Sequence, residues 1–225
     1  MKRFLFFLLV SLTFTGYSQL GKEYENRKIR SALQIKAFKN GVLFLRIRNR
    51  NAEVEYLKKY GRIEEARKVE RKRKELNQRL IRAFQTNFDF CPVYFFFSKD
   101  SKHIRLGQFD SVDFVDTSLQ VIDTIRPQPS YYLTAELGKV VADTAKFFGG
   151  YRTVETVDGL VQQPIYYTGP DAGFKGLIIK SDQFIQLVHP FPYYVRTYFE
   201  HPNERRMMWY VKKLNLALHE YYLKL

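Results

Sequence analysis

Arg67, Lys68, Arg71, Lys72 and Lys74 fall within little more than two helical turns, and they are the residues whose type and spacing point most directly to chemistry. That chemistry is recognition. Cations gathered on one side of a helix attract anionic groups over a distance set by salt. The same run also suits a helix face that is simply solvated. Bond-making constellations fail by spacing or by count. Cys91 is the only cysteine, so a dithiol centre and an intrachain disulfide are both excluded. At the head of the apolar run Cys91 to Phe97 it reads as a small buried hydrophobe. His103, His189, His201 and His219 lack the helical pairing or cysteine partners of a zinc site. Asp110, Asp113, Asp116 and Asp123 lack the spacing, glycine and closing Glu of a calcium loop. Gly169, Gly173 and Lys175 suggest a phosphate loop only superficially, because a P-loop needs its Lys directly after the second glycine. A Gly-x-Ser-x-Gly elbow is absent. No metal and no cofactor is expected. A catalytic site, if one assembles in three dimensions, is to be sought first at Asp110, Asp113 and His189. The doublets Tyr131-Tyr132, Tyr166-Tyr167 and Tyr193-Tyr194 offer either groove walls or ordinary strand faces.

The cations need a helix to array them. From Asn51 to Phe84 there is no proline, and Glu, Lys, Arg, Ala and Leu dominate. Gly61 predicts a cap or kink that ends one helix and begins a second from about Arg62 to Phe84. In that second helix Val69, Leu76, Leu80, Ala83 and Phe84 form the stripe expected to face a core, with the cations opposite. Around Gly61, the expected apolar face of the first half carries Tyr56, Leu57, Tyr60 and Ile63. The run Val42 to Ile47 precedes the helices and Val93 to Phe97 follows them. Strand, long helix, strand predicts a crossover with both strands parallel, and unbroken apolarity predicts a sheet covered on both faces.

The chain opens with Met1-Lys2-Arg3, an apolar segment Phe4 to Phe14 and small residues at Gly16 and Ser18. This is the pattern of a secretory signal peptide over residues 1–18, cut before Gln19, and the apolar segment is too short to span a bilayer. A retained anchor is the rival reading. The ending Tyr17-Ser18-Gln19 resembles many exported proteins of Bacteroidota, and the stretch Asn87 to Ser98 resembles an uncharacterised exported family there. The resemblance implies an address, periplasm or cell envelope, and no activity. Gln19 to Leu225 reads as a single α/β domain, since no Ser/Gly/Pro-rich linker divides it. Charge is uneven within it: Gln19 to Arg105 holds 23 Lys and Arg against 10 Asp and Glu, whereas Leu106 to Leu225 holds 12 against 13. In an exported protein the anionic neighbours are an envelope component, lipid or polymer, or an acidic protein partner, and not nucleic acid.

The remaining elements are read more coarsely. Tyr24 to Phe38 predicts an amphipathic helix with Ile29, Leu33, Ala37 and Phe38 inward. Short extended pieces are expected between Ile104 and Ile125, a strand over Tyr131 to Leu137, and a short helix over Lys139 to Phe148. Tyr151 to Gly173 is expected to be irregular. Phe174 to Lys180 and Phe184 to Val188 predict a hairpin. A terminal helix from about Asn203 carries Met207, Val211, Leu214, Leu218, Tyr221 and Leu225 inward. The fold class expected is α/β, a mixed sheet flanked by helices, three-layer or thioredoxin-like, with a long basic helix after the first strand. Strand, helix, strand, irregular middle, hairpin and terminal helix resembles the thioredoxin-like order without its redox motif. The leading functional reading is non-catalytic binding through the basic helical face. The alternatives are a degenerate thioredoxin-like scaffold for protein contacts and an enzyme whose site is invisible in sequence.

Overall fold

In the computed structural model, which describes residues 25–49, 51–141, 148–156, 159–166, 173–199 and 202–225, the run Val42–Ile47 is strand β1 at the middle of the main sheet. The sequence pattern over residues 1–18 lies outside the described residues. Helix α1 covers residues 25–39. After β1 come α2 (Asn51–Lys59), α3 (Ile63–Asn87) and β2 (Val93–Phe97). The strands β3 (Tyr132–Lys139), β6 (Lys175–Lys180) and β7 (Tyr194–Arg196) complete a sheet of order β2-β1-β3-β6-β7. β1 runs parallel to both β2 and β3, and β6 is antiparallel to β3 and β7. The parallel strand–helix–strand unit predicted from the apolar runs is therefore present. A separate antiparallel pair, β4 (Phe148–Thr156) and β5 (Gly159–Tyr166), stands outside that sheet.

Alternation along the strands builds two cores. Leu43, Leu45, Phe95, Leu133, Ala135, Leu177 and Ile179 belong to the larger, which α1, α3 and the terminal helix α5 (Glu204–Leu223) cover with Ile35, Phe38, Leu80, Phe84, Met207, Val211 and Leu214. On the other face Phe44 sits among Phe109, Phe114 and Tyr132 at ring-centroid separations of 5.1, 5.7 and 5.3 Å. Phe96 and Ile104 close this second core. Its lid is a short helix, α4 (Ser101–Arg105), and the irregular chain that follows. The Tyr132 hydroxyl ties it down by donating to the Ile104 carbonyl at 2.7 Å. The extended pieces expected here reduce to single bridges, Phe96 with Phe114 and Val115 with Val121.

Several other expectations are corrected. α1 buries Ser31, Ile35 and Phe38 and leaves Ile29 and Leu33 exposed, because its contact face lies opposite the ridge that hydropathy alone selects. In α2 the inward residues are Val54 and Leu57, which meet Ala66 and Val69 of α3, while Tyr56, Tyr60 and Ile63 are exposed. The stretch beginning at Tyr151, expected to be irregular, contains most of β4 and all of β5. Lys139 ends β3 and Phe148 begins β4; residues 142–147 of the expected helix lie outside the described residues. The strand expected at Phe184 to Val188 contributes only the bridge from Gln186 to Lys180, and β6 takes β7 as its partner instead. Leu225 is exposed at the end of the chain, although Met207, Val211, Leu214 and Leu218 are buried as expected.

Gly61 divides α2 from α3 with φ +73°, a left-handed conformation that ends the first helix, and its amide donates to Lys58. α5 begins at Asn203, whose side chain accepts from the Arg206 amide. Among the described residues no helix is long and apolar enough to cross a membrane. Leu80 is 2% exposed and lies where α3 crosses the sheet. Leu80→Ala should cost on the order of 2 to 5 kcal/mol in urea or guanidinium unfolding, from lost burial plus the cavity left behind.

Candidate functional site

α3 is 25 residues long, about 37 Å at 1.5 Å per residue. The six-residue β1 and five-residue β2 reach only about 20 Å. Since α3 runs back from the exit of β1 to the entry of β2, its first half overhangs the carboxyl ends of β1, β2 and β3. Among the described residues, that half buries only Ala66 fully, whereas Asn77, Leu80, Ile81, Ala83 and Phe84 are buried in the second half. The overhang is where the predicted cations lie.

Arg67, Lys68, Arg71, Lys72 and Lys74 are all exposed. They do not share one surface. Lys72 faces a cleft on the β3 side, of about 600 Å³. Arg67, Arg71 and Lys74 face a shallower groove on the β2 side, against Lys99, Asp113 and the chain from Ser118 to Val121. Lys68 borders neither. Some of the charge is locally answered: Glu64 binds Arg67 at 2.7 Å, Glu70 binds Lys58 at 2.9 Å and Asp113 accepts from Lys99.

The cleft is built from residues that sequence reading did not single out as a site. Ala66, Arg73 and Leu80 are spaced by seven, so Arg73 lies on the stripe that α3 turns inward, at a height where no strand remains beneath it. Its side chain is half-buried and lines both the cleft and the groove. One turn on, the buried Asn77 donates to the Arg48 carbonyl at 3.1 Å and pins the exit of β1 to the helix. Arg46 and Arg48 enter from β1, Gly138 and Lys139 from the end of β3, and Gly173, Lys175 and Gly176 from the start of β6. Gly173 and Lys175 are two of the residues that superficially suggested a phosphate loop; Gly169 lies outside the described residues. Gly138 and Gly176 are in register across β3 and β6. A Cβ on Gly176 would stand 2.8 Å from the Val140 side chain, and one on Gly138 would stand 3.1 Å from the Glu136 carboxylate. These two positions keep the floor low.

On the sheet face away from α3, the face that carries Phe44, lies Glu136, whose side chain is 7% exposed. Arg46 lies 3.0 Å from one oxygen, Lys180 2.7 Å from the other, and Arg48 4.0 Å away. Burial opposes ionisation of this carboxyl, but the Lys180 hydrogen bond and the charges of Lys180, Arg46 and Arg48 outweigh it and hold Glu136 below the usual carboxylate range. Arg46 is further fixed against the Phe184 ring, 5.3 Å from its centroid.

The residues named as a place to look for catalysis are engaged in separate contacts. Asp113 is paired with Lys99, Asp110 accepts from Gln128 at 3.2 Å, and His189 is exposed on the turn before β7. His219 binds Asp89 at 2.8 Å at the opposite end of α3, and His201 lies outside the described residues. Cys91 is 7% exposed, and burial pushes its thiol up to about 12. Among the described residues no three of His, Cys, Asp and Glu gather closely enough to hold a metal ion. The chain matches no family model, no curated protein and no solved structure.

Two outcomes follow from this geometry. The Glu136 pKa is lower folded than unfolded, so its stabilisation is complete above the ordinary carboxylate pKa of about 4.3 and is lost as pH falls through the folded value. Glu136→Gln should therefore cost on the order of 1.5 to 3 kcal/mol at pH 7, the scale of charge-assisted hydrogen bonds, with a difference from wild type that shrinks as denaturation is repeated toward pH 3. For Cys91, a thiol reagent at pH 8 should label the native protein far more slowly than the denatured one, since the buried group is protonated there.

Proposed function

We propose that this is an exported, non-catalytic envelope protein that binds an anionic envelope component through the basic face of α3. The observation that carries this reading is the overhang: Lys68, Arg71, Lys72 and Lys74 are held exposed beyond the sheet, on a helix whose far half is anchored in the core. Cations placed this way contribute little to holding the fold, because single surface substitutions stay within about 0.5 kcal/mol. They are available to a partner. The address comes from the pattern at Met1 to Ser18. Lipid headgroups, envelope polysaccharide and acidic protein surfaces all supply the negative charge such a face requires, and the long-range attraction would speed encounter with any of them.

Replacing Arg67, Lys68, Arg71, Lys72 and Lys74 together by Gln should leave the circular dichroism spectrum and the unfolding midpoint nearly unchanged while retention on anionic vesicles or an acidic polymer falls. Wild-type retention should drop between 0.1 M and 1 M salt, as the Debye length shrinks from about 10 Å to about 3 Å. Retention that is unchanged in the neutralised variant and insensitive to salt would reduce the run to a solvated face.

A further inference from the structure

We infer that the cleft between α3 and the carboxyl ends of β1 and β3 is a site for a phosphate group carrying at least two negative charges. This inference rests on the anion-binding reading above and gives it a ligand class. The position is the one at which open α/β sheets take ligands. The connection leaving β1 passes to β2 on one side, the chain leaving β3 continues to strands on the other, and the diverging connections leave a crevice outside the strand ends.

Charge then selects the ligand. Among the described residues, Arg46, Arg48, Lys72, Arg73, Lys139 and Lys175 line the cleft against one acidic residue, Glu53. Glu136, on the sheet face away from α3, answers Arg46 most closely and Arg48 more weakly. Lys72, Arg73 and Lys139 alone bring three positive charges to the cleft, and a phosphomonoester or diphosphate answers them with two or more charges on oxygens that accept several hydrogen bonds at once. The donors are in place. Nη1 of Arg73 is buried and donates to no acceptor among the described residues. Burying a guanidinium N–H without an acceptor is costly, and a phosphate oxygen is the acceptor that matches its fork. The volume of about 600 Å³ admits a phosphorylated headgroup or a small phosphorylated compound, and these two sources share the chemistry recognised.

Titration calorimetry of the purified protein with inorganic pyrophosphate in low salt tests this. Saturable binding near one per chain is expected. Arg73→Gln combined with Lys139→Gln should weaken it about tenfold or more, by removal of charge-assisted bonds. Lys139→Gln alone, at an exposed strand end, should weaken it in the same direction should the double variant fold poorly. Lys212→Gln with Lys213→Gln, exposed on α5 and outside the lining, should leave pyrophosphate binding within about twofold, below the 1.4 kcal/mol that corresponds to tenfold. Retention on phosphatidic acid vesicles above phosphatidylglycerol vesicles of equal charge, displaced by pyrophosphate, would assign the source to a headgroup. Pyrophosphate binding without vesicle preference would assign it to a soluble phosphorylated compound. Absence of saturable pyrophosphate binding, or binding unchanged in a folded Arg73→Gln/Lys139→Gln variant, would overturn the cleft. If vesicle or polymer retention still followed the outer cations in that case, the broader anion-binding function would stand without it.

Discussion

A helix longer than the strands it crosses must do something with its surplus. In this protein α3 exceeds β1 and β2 by nearly half its length, and its two halves obey different physics. Over the sheet, Leu80, Ile81, Ala83 and Phe84 are removed from water, and each fully buried side chain of the larger kind contributes roughly 1.5 to 3 kcal/mol. Beyond the sheet there is no apolar floor. The overhang is supported laterally by α2, through the small cluster of Val54, Leu57, Ala66 and Val69, and the break at Gly61 lets α2 fold back along α3. Its underside opens onto strand ends, where backbone groups and charged side chains replace hydrocarbon. Arg73 occupies a stripe position because at that height the stripe faces a polar crevice.

On the other face of the sheet, Glu136 makes a second charged cluster tenable. Arg46, Arg48 and Lys180 converge within 4.0 Å of one buried carboxylate, which could not remain ionised without them. The arrangement fixes the direction of Arg46, with the Phe184 ring holding its guanidinium from the other side. It also spaces the cations: Lys180 and Arg46 take opposite oxygens of Glu136. One acidic group therefore sets the geometry of a larger basic set, and the net field at the strand ends stays positive. The same sheet face carries the aromatic core around Phe44 a few residues earlier in β1, so the change from hydrocarbon to charge happens within a single strand, between Phe44 and Arg46.

Much of this fold was legible in the residues. The apolar runs at Val42 and Val93, the helix-forming stretch between them and Gly61 specified a parallel pair with a broken crossover, because each feature is local and strongly biased. The phase of α1 was not legible: Ile29 and Leu33 outrank Ser31 in hydropathy, yet Ser31 faces inward, and only the packing against the sheet and α5 decides which ridge is covered. The strands β4 and β5 were hidden by Gly149, Gly150, Asp158 and Gly159, which read as turns and loop. The outer cations of the candidate site were visible as composition. Arg46, Arg48, Arg73, Lys139 and Lys175 were not recognised together, because they come from four elements whose register is set by long-range pairing. One signal was present locally, an arginine seven residues before Leu80 on an otherwise inward stripe.

Stability alone gives no reason for the charge pattern of α3. Arg67 with Arg71 and Lys68 with Lys72 are like-charge neighbours four apart, each worth roughly 0.2 to 0.5 kcal/mol against the helix, while Glu64, Glu70 and Glu75 offset only part of that repulsion. Interspersing acids and bases along the overhang would remove this cost and keep the helix soluble. The core-facing half supplies enough burial for the helix to tolerate it, so the repulsion is affordable without being useful to folding. An anion bound beneath or beside the overhang would reverse the sign of these pairwise terms, turning cations that repel one another into cations that share a counter-charge. The unfavourable spacing occurs where the sheet has ended: the helix is most highly charged over the stretch that has least to pack against.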